Sequence, residues 1–239
     1  MPMTETKDLL SFKYVFLLPR GERKEIVVRV DRNTLRMIRP ERATYPEWTA
    51  LENCKCANCP LQATQSPQCP AAASLVDVIE TFGPALSYEE TEVRVETENR
   101  TYSARTTMQK GLSGLIGLVM ATSGCPILRK LRPLARFHLP FTSLLEAQFR
   151  ILSMYLLSQH LRAQKGAAPD WAMQELAQIY GDIQVVNEDF TRRLRLASEG
   201  DANLNAVILL NTSANAVAFA IGGEMLEELK QVFNTASDE

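Results

Sequence analysis

Hydrophobic and polar residues alternate in the first part of the chain, as they do in strands that bury one face. Phe12, Tyr14 and Phe16 fall on one side of the first such segment, and Lys13 lies on the other. A period of two residues is typical of half-buried strands, and turn residues separate the segments. We therefore predict two β-hairpins and one further short strand. The predicted strands are 11–18, 25–30, 34–38, 91–98 and 102–106.

The rest of the chain repeats its apolar positions every three to four residues, which is the period of a helix. Ser143 and Glu146 have the spacing of a capping box, and Gly166 ends the helix that they start. Segment 204–221 is apolar on nearly all sides, so we expect a buried central helix there. Further helices are predicted at 71–82, from 108 onward, between Asp170 and Gly200, and at 224–233.

These elements predict an α+β protein, in which a small antiparallel β region, clipped by a metal, precedes a helical bundle. The pattern changes between residues 1–106 and residues 107–239, although both parts could belong to one integrated domain. The composition, 46% hydrophobic and 23% charged, is that of a globular protein. The polar start predicts no signal peptide, and no apolar run is long enough for a bilayer. We expect a soluble cytoplasmic protein.

Four cysteines within sixteen residues form the sharpest chemical signal. Cys54, Cys56, Cys59 and Cys69 have the spacing Cys-x-Cys-x2-Cys-x9-Cys. Thiols stay reduced in the cytoplasm, so clustered cysteines favour a metal over disulfides. Structural Zn²⁺ is the leading interpretation, and an iron–sulfur cluster is the alternative, because prolines follow two of these cysteines as in ferredoxins. Four protein ligands leave no open position, so we expect the metal to stabilise the segment and not to catalyse.

The fifth cysteine, Cys125, precedes Pro126, a residue favoured at the first position of a helix. Cys125 would then be the N-cap, where a helix lowers the pKa of a thiol. His138 follows thirteen residues later, and a cysteine nucleophile with a histidine base is one interpretation. The other is a buried structural cysteine and a histidine that packs or caps.

Residues 104–165 carry nine basic side chains and a single acidic one, Glu146. Arg129, Arg132 and Arg136 crowd the turn after Cys125 and could bind a phosphate or a carboxylate. They could equally pair with the acidic C-terminal part of the chain. Nucleic acid is disfavoured because the pI is about 5.9 and few aromatic residues accompany the basic turn.

Two further patterns have structural and functional interpretations. Glycines at 111, 114 and 117 resemble a phosphate loop but lack its Lys-Ser/Thr ending, so close helix packing is favoured. Asp201, Asn205, Asn211 and Asn215 repeat along the most apolar helix. Buried polar groups need partners, which predicts an internal hydrogen-bond network, with Arg192, Arg193 and Arg195 as candidates, or a polar pocket for a small ligand.

The segments Asn-Cys-Lys-Cys-Ala-Asn-Cys-Pro and Met-Ala-Thr-Ser-Gly-Cys-Pro … Phe-His-Leu-Pro-Phe resemble a group of uncharacterised bacterial proteins. The resemblance covers about a tenth of the chain. It implies a bacterial cytoplasmic protein and adds no residue roles.

Three functions are compatible with these features. The leading hypothesis is a metal-stabilised binding or regulatory protein whose partner is a small anionic ligand or another protein. The second is an enzyme in which Cys125 is the nucleophile, His138 the base, and Arg132 or Arg136 binds an anionic substrate. The third is an iron–sulfur redox or sensor protein.

Overall fold

The computed structural model describes residues 8–18, 21–221 and 226–234. Within these residues the chain is a mixed α+β protein with a four-stranded antiparallel sheet and seven α-helices, so the predicted class is confirmed. The strands are β1 (Leu9–Leu17), β2 (Arg23–Asp31), β3 (Glu90–Glu96) and β4 (Thr101–Thr107). The helices are α1 (Pro70–Phe82), α2 (Met108–Thr122), α3 (Arg132–Arg136), α4 (Leu144–Gln164), α5 (Gln174–Leu194), α6 (Ala202–Ile221) and α7 (Leu226–Asn234).

The sheet has the order β2-β1-β3-β4, so the two predicted hairpins pair through their first strands. Tyr14 in β1 lies opposite Ile26 in β2 and Val95 in β3. The strand predicted at 34–38 is wrong: only an isolated bridge joins Val30 and Met37 there. The amide of Ile38 donates to the carbonyl of Arg29 in β2, but the amide of Met37 donates to the carbonyl of Thr122 at the end of α2, so the pairing with β2 stops at one bridge.

Helices α1 and α2 pack against the sheet, and the glycines of α2 permit a close approach. A β-carbon at Gly111 would lie 2.7 Å from Val93 Cγ2 and 2.9 Å from Phe16 Cε1. One at Gly117 would lie 3.1 Å from Leu210 Cδ2 on α6. The interpretation as a packing face is therefore confirmed.

Helix α6 packs between α2 and α5, but it is not buried on all sides as expected. Ile208 is 42% exposed, and Thr212, Ser213 and Asn215 face solvent. These three polar residues form an exposed face, whereas Asn211 is half-buried and its Oδ1 atom has no partner among the described residues. The predicted capping box of α4 is present, since Ser143 and Glu146 exchange side-chain and main-chain hydrogen bonds.

One hydrophobic cluster contains side chains of the sheet, such as Phe16, and of the helices, such as Phe190. The predicted division after residue 106 stays a prediction. None of the described helices combines the length and the apolar character needed to cross a membrane.

Candidate metal centre

The cysteine segment lies between β2 and α1, and a buried arginine of α5 holds its main chain. Arg193 is 1% exposed. Its Nη1 atom donates to the carbonyls of Trp48 at 2.6 Å and Ala50 at 2.7 Å. Its Nη2 atom donates to the carbonyls of Leu51 and Cys54, each at 3.2 Å. Arg193 continues the apolar stripe of α5 three residues after Phe190. A charged residue on a buried stripe is the sequence signal that could have identified it.

Two further contacts join the same helix to the cysteine segment. The carboxylate of Asp189 accepts from the amide of Ala57 at 2.7 Å, and it also pairs with Arg192. The side-chain amide of Asn58 donates to the carbonyl of Asp182 at 2.9 Å. Successive turns of α5 therefore bind residues 48–58, so that protein contacts position a loop with little regular structure.

Three of the four clustered cysteines lie against the hydrophobic core: Cys56, Cys59 and Cys69. The amide of Cys59 donates to the carbonyl of Cys56 at 3.0 Å, and the amide of Cys69 donates to Thr49 O at 2.8 Å. Burial raises the pKa of Cys56 to about 12, and the charges of Cys69, Asp189, Cys125 and Cys59 add to the rise. These thiols are thus close enough for their charges to interact.

Cys54 differs from the other three. Its φ angle is +54°, in the left-handed region that most non-glycine residues avoid. Within the described ranges, no three His, Cys, Asp or Glu side chains stand at positions that could hold a metal ion. The metal site of Cys54, Cys56, Cys59 and Cys69 therefore stays a prediction.

Cys125 follows Gly124, whose φ of +100° needs glycine. The predicted α-helix at Pro126 is wrong: a turn leads into a 3-10 segment, Leu128–Leu131. The predicted fall in the thiol pKa is also wrong. Burial raises the pKa of Cys125, and this effect outweighs the amides of Leu128 and Ile127, which donate to the sulfur.

His138 lies in a different environment from Cys125. Its Nε2 atom is 2.5 Å from the hydroxyl of Tyr14, and its ring meets Phe12 edge-on at 5.5 Å. Burial lowers the pKa of His138 to about 3, and the charge of Arg150 contributes. No hydrogen bond between Cys125 and His138 is present in the described part of the chain. The nucleophile pair stays a prediction without a supporting contact.

The basic turn contributes an arginine group without acidic partners. Burial lowers the pKa of Arg132, and the charges of Arg36 and Arg129 contribute. The Nε atom of Arg132 is buried and has no hydrogen-bond partner among the residues described. Arg129, Arg132 and Arg136 form no ion pair with any described acidic residue. The structure thus adds Arg36 to this group, which the sequence did not indicate.

A cavity of about 150 Å³ lies beside the same turn, between α2, α4, α5 and α6. Leu128, Leu131 and Leu134 alternate with the basic residues and line its wall. Three polar residues also line it: Tyr180, Asn187 and, at its solvent-exposed edge, Ser213. The cavity was not predicted, because its walls come from five distant segments.

The polar residues of α6 form a network in part. Asp201 accepts from the amide of Ser87 at 2.7 Å, from the Ser87 hydroxyl at 2.9 Å, and from Asn205 Nδ2 at 2.9 Å. The predicted internal network is therefore present around Asp201, but its partners come from the segment before β3 and not from Arg192, Arg193 or Arg195.

The family described as a domain of unknown function (DUF6901) matches residues 11–234, so the chain belongs to that family. No curated protein and no solved structure matches the chain.

Proposed function

We propose that this member of the DUF6901 family is a metal-stabilised binding or regulatory protein of the bacterial cytoplasm. Zinc is the metal that we expect, coordinated by thiolates of the cysteine segment. The helical half supplies the ligand site. One observation carries the proposal: Cys56, Cys59 and Cys69 face the core side of a loop that α5 already holds. A soft metal ion would turn these thiols, of which Cys69 is buried and the other two are half-buried, into ligands and stabilise a loop that buries little apolar area.

The cavity supports the binding part of the proposal. Its volume of about 150 Å³ suits a small ring or a short chain. Its leucines share a turn with Arg129 and Arg132, and the buried Nε of Arg132 has no partner within the described residues. We therefore propose a small, mostly apolar ligand that carries one anionic group. The apolar part would fill the cavity, and the arginines would bind the anion.

An iron–sulfur cluster is the second candidate for the metal. Proline follows Cys59, Cys69 and Cys125 in the sequence, and Cys-Pro steps occur in ferredoxins. An enzyme that uses Cys125 and His138 remains the third hypothesis, with no contact in its favour.

Elemental analysis of anaerobically purified protein tests the metal. About one zinc per chain supports the proposal, whereas iron with sulfide and a visible absorption band supports the cluster. Protein without stoichiometric zinc or iron contradicts both.

Thermal unfolding with a series of short-chain carboxylates tests the ligand site. We expect the carboxylates to raise the melting temperature, because ligands that bind only the folded state stabilise it. Ala214→Leu should abolish the rise in melting temperature by filling the cavity. Arg132→Ala should reduce the rise caused by carboxylates and leave the rise caused by the matched alcohols unchanged. Arg195→Ala is the control, because it removes an exposed arginine that directly follows α5. No rise with any compound contradicts the ligand proposal and leaves the metal proposal standing.

A further inference from the structure

We infer that Cys125 is the fourth thiolate ligand of the metal and that Cys54 is not a ligand. The set would be Cys56, Cys59, Cys69 and Cys125. This inference rests on the proposed metal site and changes its membership. It replaces a local loop site by one that joins three separate parts of the fold.

The segment that carries Cys125 packs against the segment that carries Cys69. A β-carbon built on Gly124 would lie 3.8 Å from the Cβ of Pro70, so the residues beside the two cysteines lie close together. Cys69 belongs to the hydrophobic cluster, and Cys56, Cys59 and Cys125 are partly buried and pack against it. The left-handed backbone of Gly124 turns the chain at the end of α2 and leads into Cys125.

Two main-chain amides partly offset the burial that raises the pKa of Cys125. The main-chain amides of Leu128 and Ile127 both donate to its sulfur. Amide hydrogen bonds to sulfur stabilise a thiolate and tune metal–thiolate centres. The thiols of Cys69 and Cys59 are close enough for their charges to act on it. Cys125 therefore lies near the other thiols, and metal binding would turn these side chains toward one centre, since no three of them stand at ligand positions among the described residues.

Cys54 lies in a different environment from the other four cysteines. Its side chain does not belong to the hydrophobic cluster or to the partly buried residues packed against it, which include the other four cysteines. Its carbonyl accepts from Arg193 on α5, and its positive φ turns the main chain at this point.

Arg193 gives a further reason to expect an anionic centre. This guanidinium is buried, and among the described residues no carboxylate lies within ion-pair distance of it. Main-chain carbonyls satisfy four of its donor contacts, but they carry no net charge. Zn²⁺ bound by four thiolates has a formal charge of minus two, because four thiol protons leave when the metal binds. Such a centre beside the loop would compensate a buried cation.

Matched alanine variants of the two disputed cysteines test the inference in the full-length chain. Cys54→Ala should keep one zinc per chain. Cys125→Ala should weaken Zn²⁺ binding, in competition with a chelator, by at least about 100-fold, since loss of even an outer-shell partner costs 10- to 100-fold. Cys56→Ala is the positive control for ligand loss. Cys125→His should recover part of the affinity, because histidine is also a zinc ligand.

A measurement on the unmodified protein covers the case in which Cys125→Ala does not fold. With zinc bound, iodoacetamide should label Cys54 and spare the other four cysteines, and a chelator should expose those four. For protein that carries iron and sulfide, the same labelling defines the cluster ligands. Protein without any metal overturns the proposed function and this inference together. A metal that persists in Cys125→Ala, or that is lost in Cys54→Ala, overturns the ligand set alone.

Discussion

Arg193 and Ala50 are 143 residues apart in the chain, and the Nη1 atom of the first lies 2.7 Å from the carbonyl oxygen of the second. The contact is one of four from the same guanidinium to the loop that carries the cysteines. Carbonyls of an irregular buried loop have no helix or strand partners, so each needs a donor from elsewhere. A single planar side chain with several donors satisfies them together.

Replacing Arg193 by methionine should destabilise the protein strongly. Loss of the guanidinium leaves four carbonyls without their donor, and each buried unsatisfied group costs about 1–3 kcal/mol. We expect the free energy of unfolding in urea to fall by about 3 kcal/mol or more. Arg195→Met removes an exposed arginine from the same helix end and should change it by less than about 0.5 kcal/mol. Equal effects of the two changes would contradict this role of Arg193.

Gly200 lies where two main-chain segments meet, and it should not tolerate a side chain. A β-carbon there would be 2.3 Å from the carbonyl oxygen of Ala85 and 2.7 Å from the carbonyl carbon of Pro84. Main-chain atoms cannot rotate away, so Gly200→Ala should cost about 1–3 kcal/mol of stability.

Gly181 is the matched control for that change. Nothing lies within 4 Å of a β-carbon at this position, which is inside α5. Gly181→Ala should stabilise the protein by about 0.5–1 kcal/mol, because alanine favours the helix. Thermal and urea unfolding of both variants measure the pair, and unchanged or increased stability of Gly200→Ala would contradict the close contact at Gly200.

His138 should make the protein less stable in mild acid. Its pKa is lowered to about 3 in the folded state and is near 6.5 in an unfolded chain, so between these values only the unfolded state binds the proton. Stability should therefore fall as the pH drops from about 6.5 toward 3. His138→Gln should flatten this dependence, whereas His160→Gln, at the exposed second histidine, should leave it unchanged. Urea midpoints between pH 7 and pH 4 give the measurement.

The pKa of Asp201 is also lowered, but here the fold favours the charged form of the side chain. Hydrogen bonds from Ser87 lower its pKa below the ordinary 3.8, so the folded state favours the ionised carboxyl. The resulting stability is present above pH 4 and is lost as the pH falls through the folded value. Asp201→Asn should cost about 1 kcal/mol at pH 7 and less near pH 3. A double-mutant cycle with Ser87→Ala measures the coupling, and strictly additive effects would contradict it.

Local patterns were sufficient for the elements whose burial is regular. The alternation of Phe12, Tyr14 and Phe16 identified β1, and the Ser143–Glu146 spacing identified the start of α4, because each depends on neighbours within one turn or one strand. The segment at 34–38 was assigned to a strand wrongly for the same reason. Its composition fits a strand, but its pairing with β2 stops at one bridge because the amide of Met37 donates to the distant Thr122.

The sequence by itself determined the α+β class, the two hairpins, the main helices and the presence of a thiol-rich segment. These follow from hydrophobic periodicity and residue chemistry, which act over short distances along the chain. Only the tertiary structure decided which thiols face the core, that Arg193 and Asp189 hold the loop, and that His138 pairs with Tyr14. Those relationships join residues more than a hundred positions apart, and packing, not spacing, brings them together.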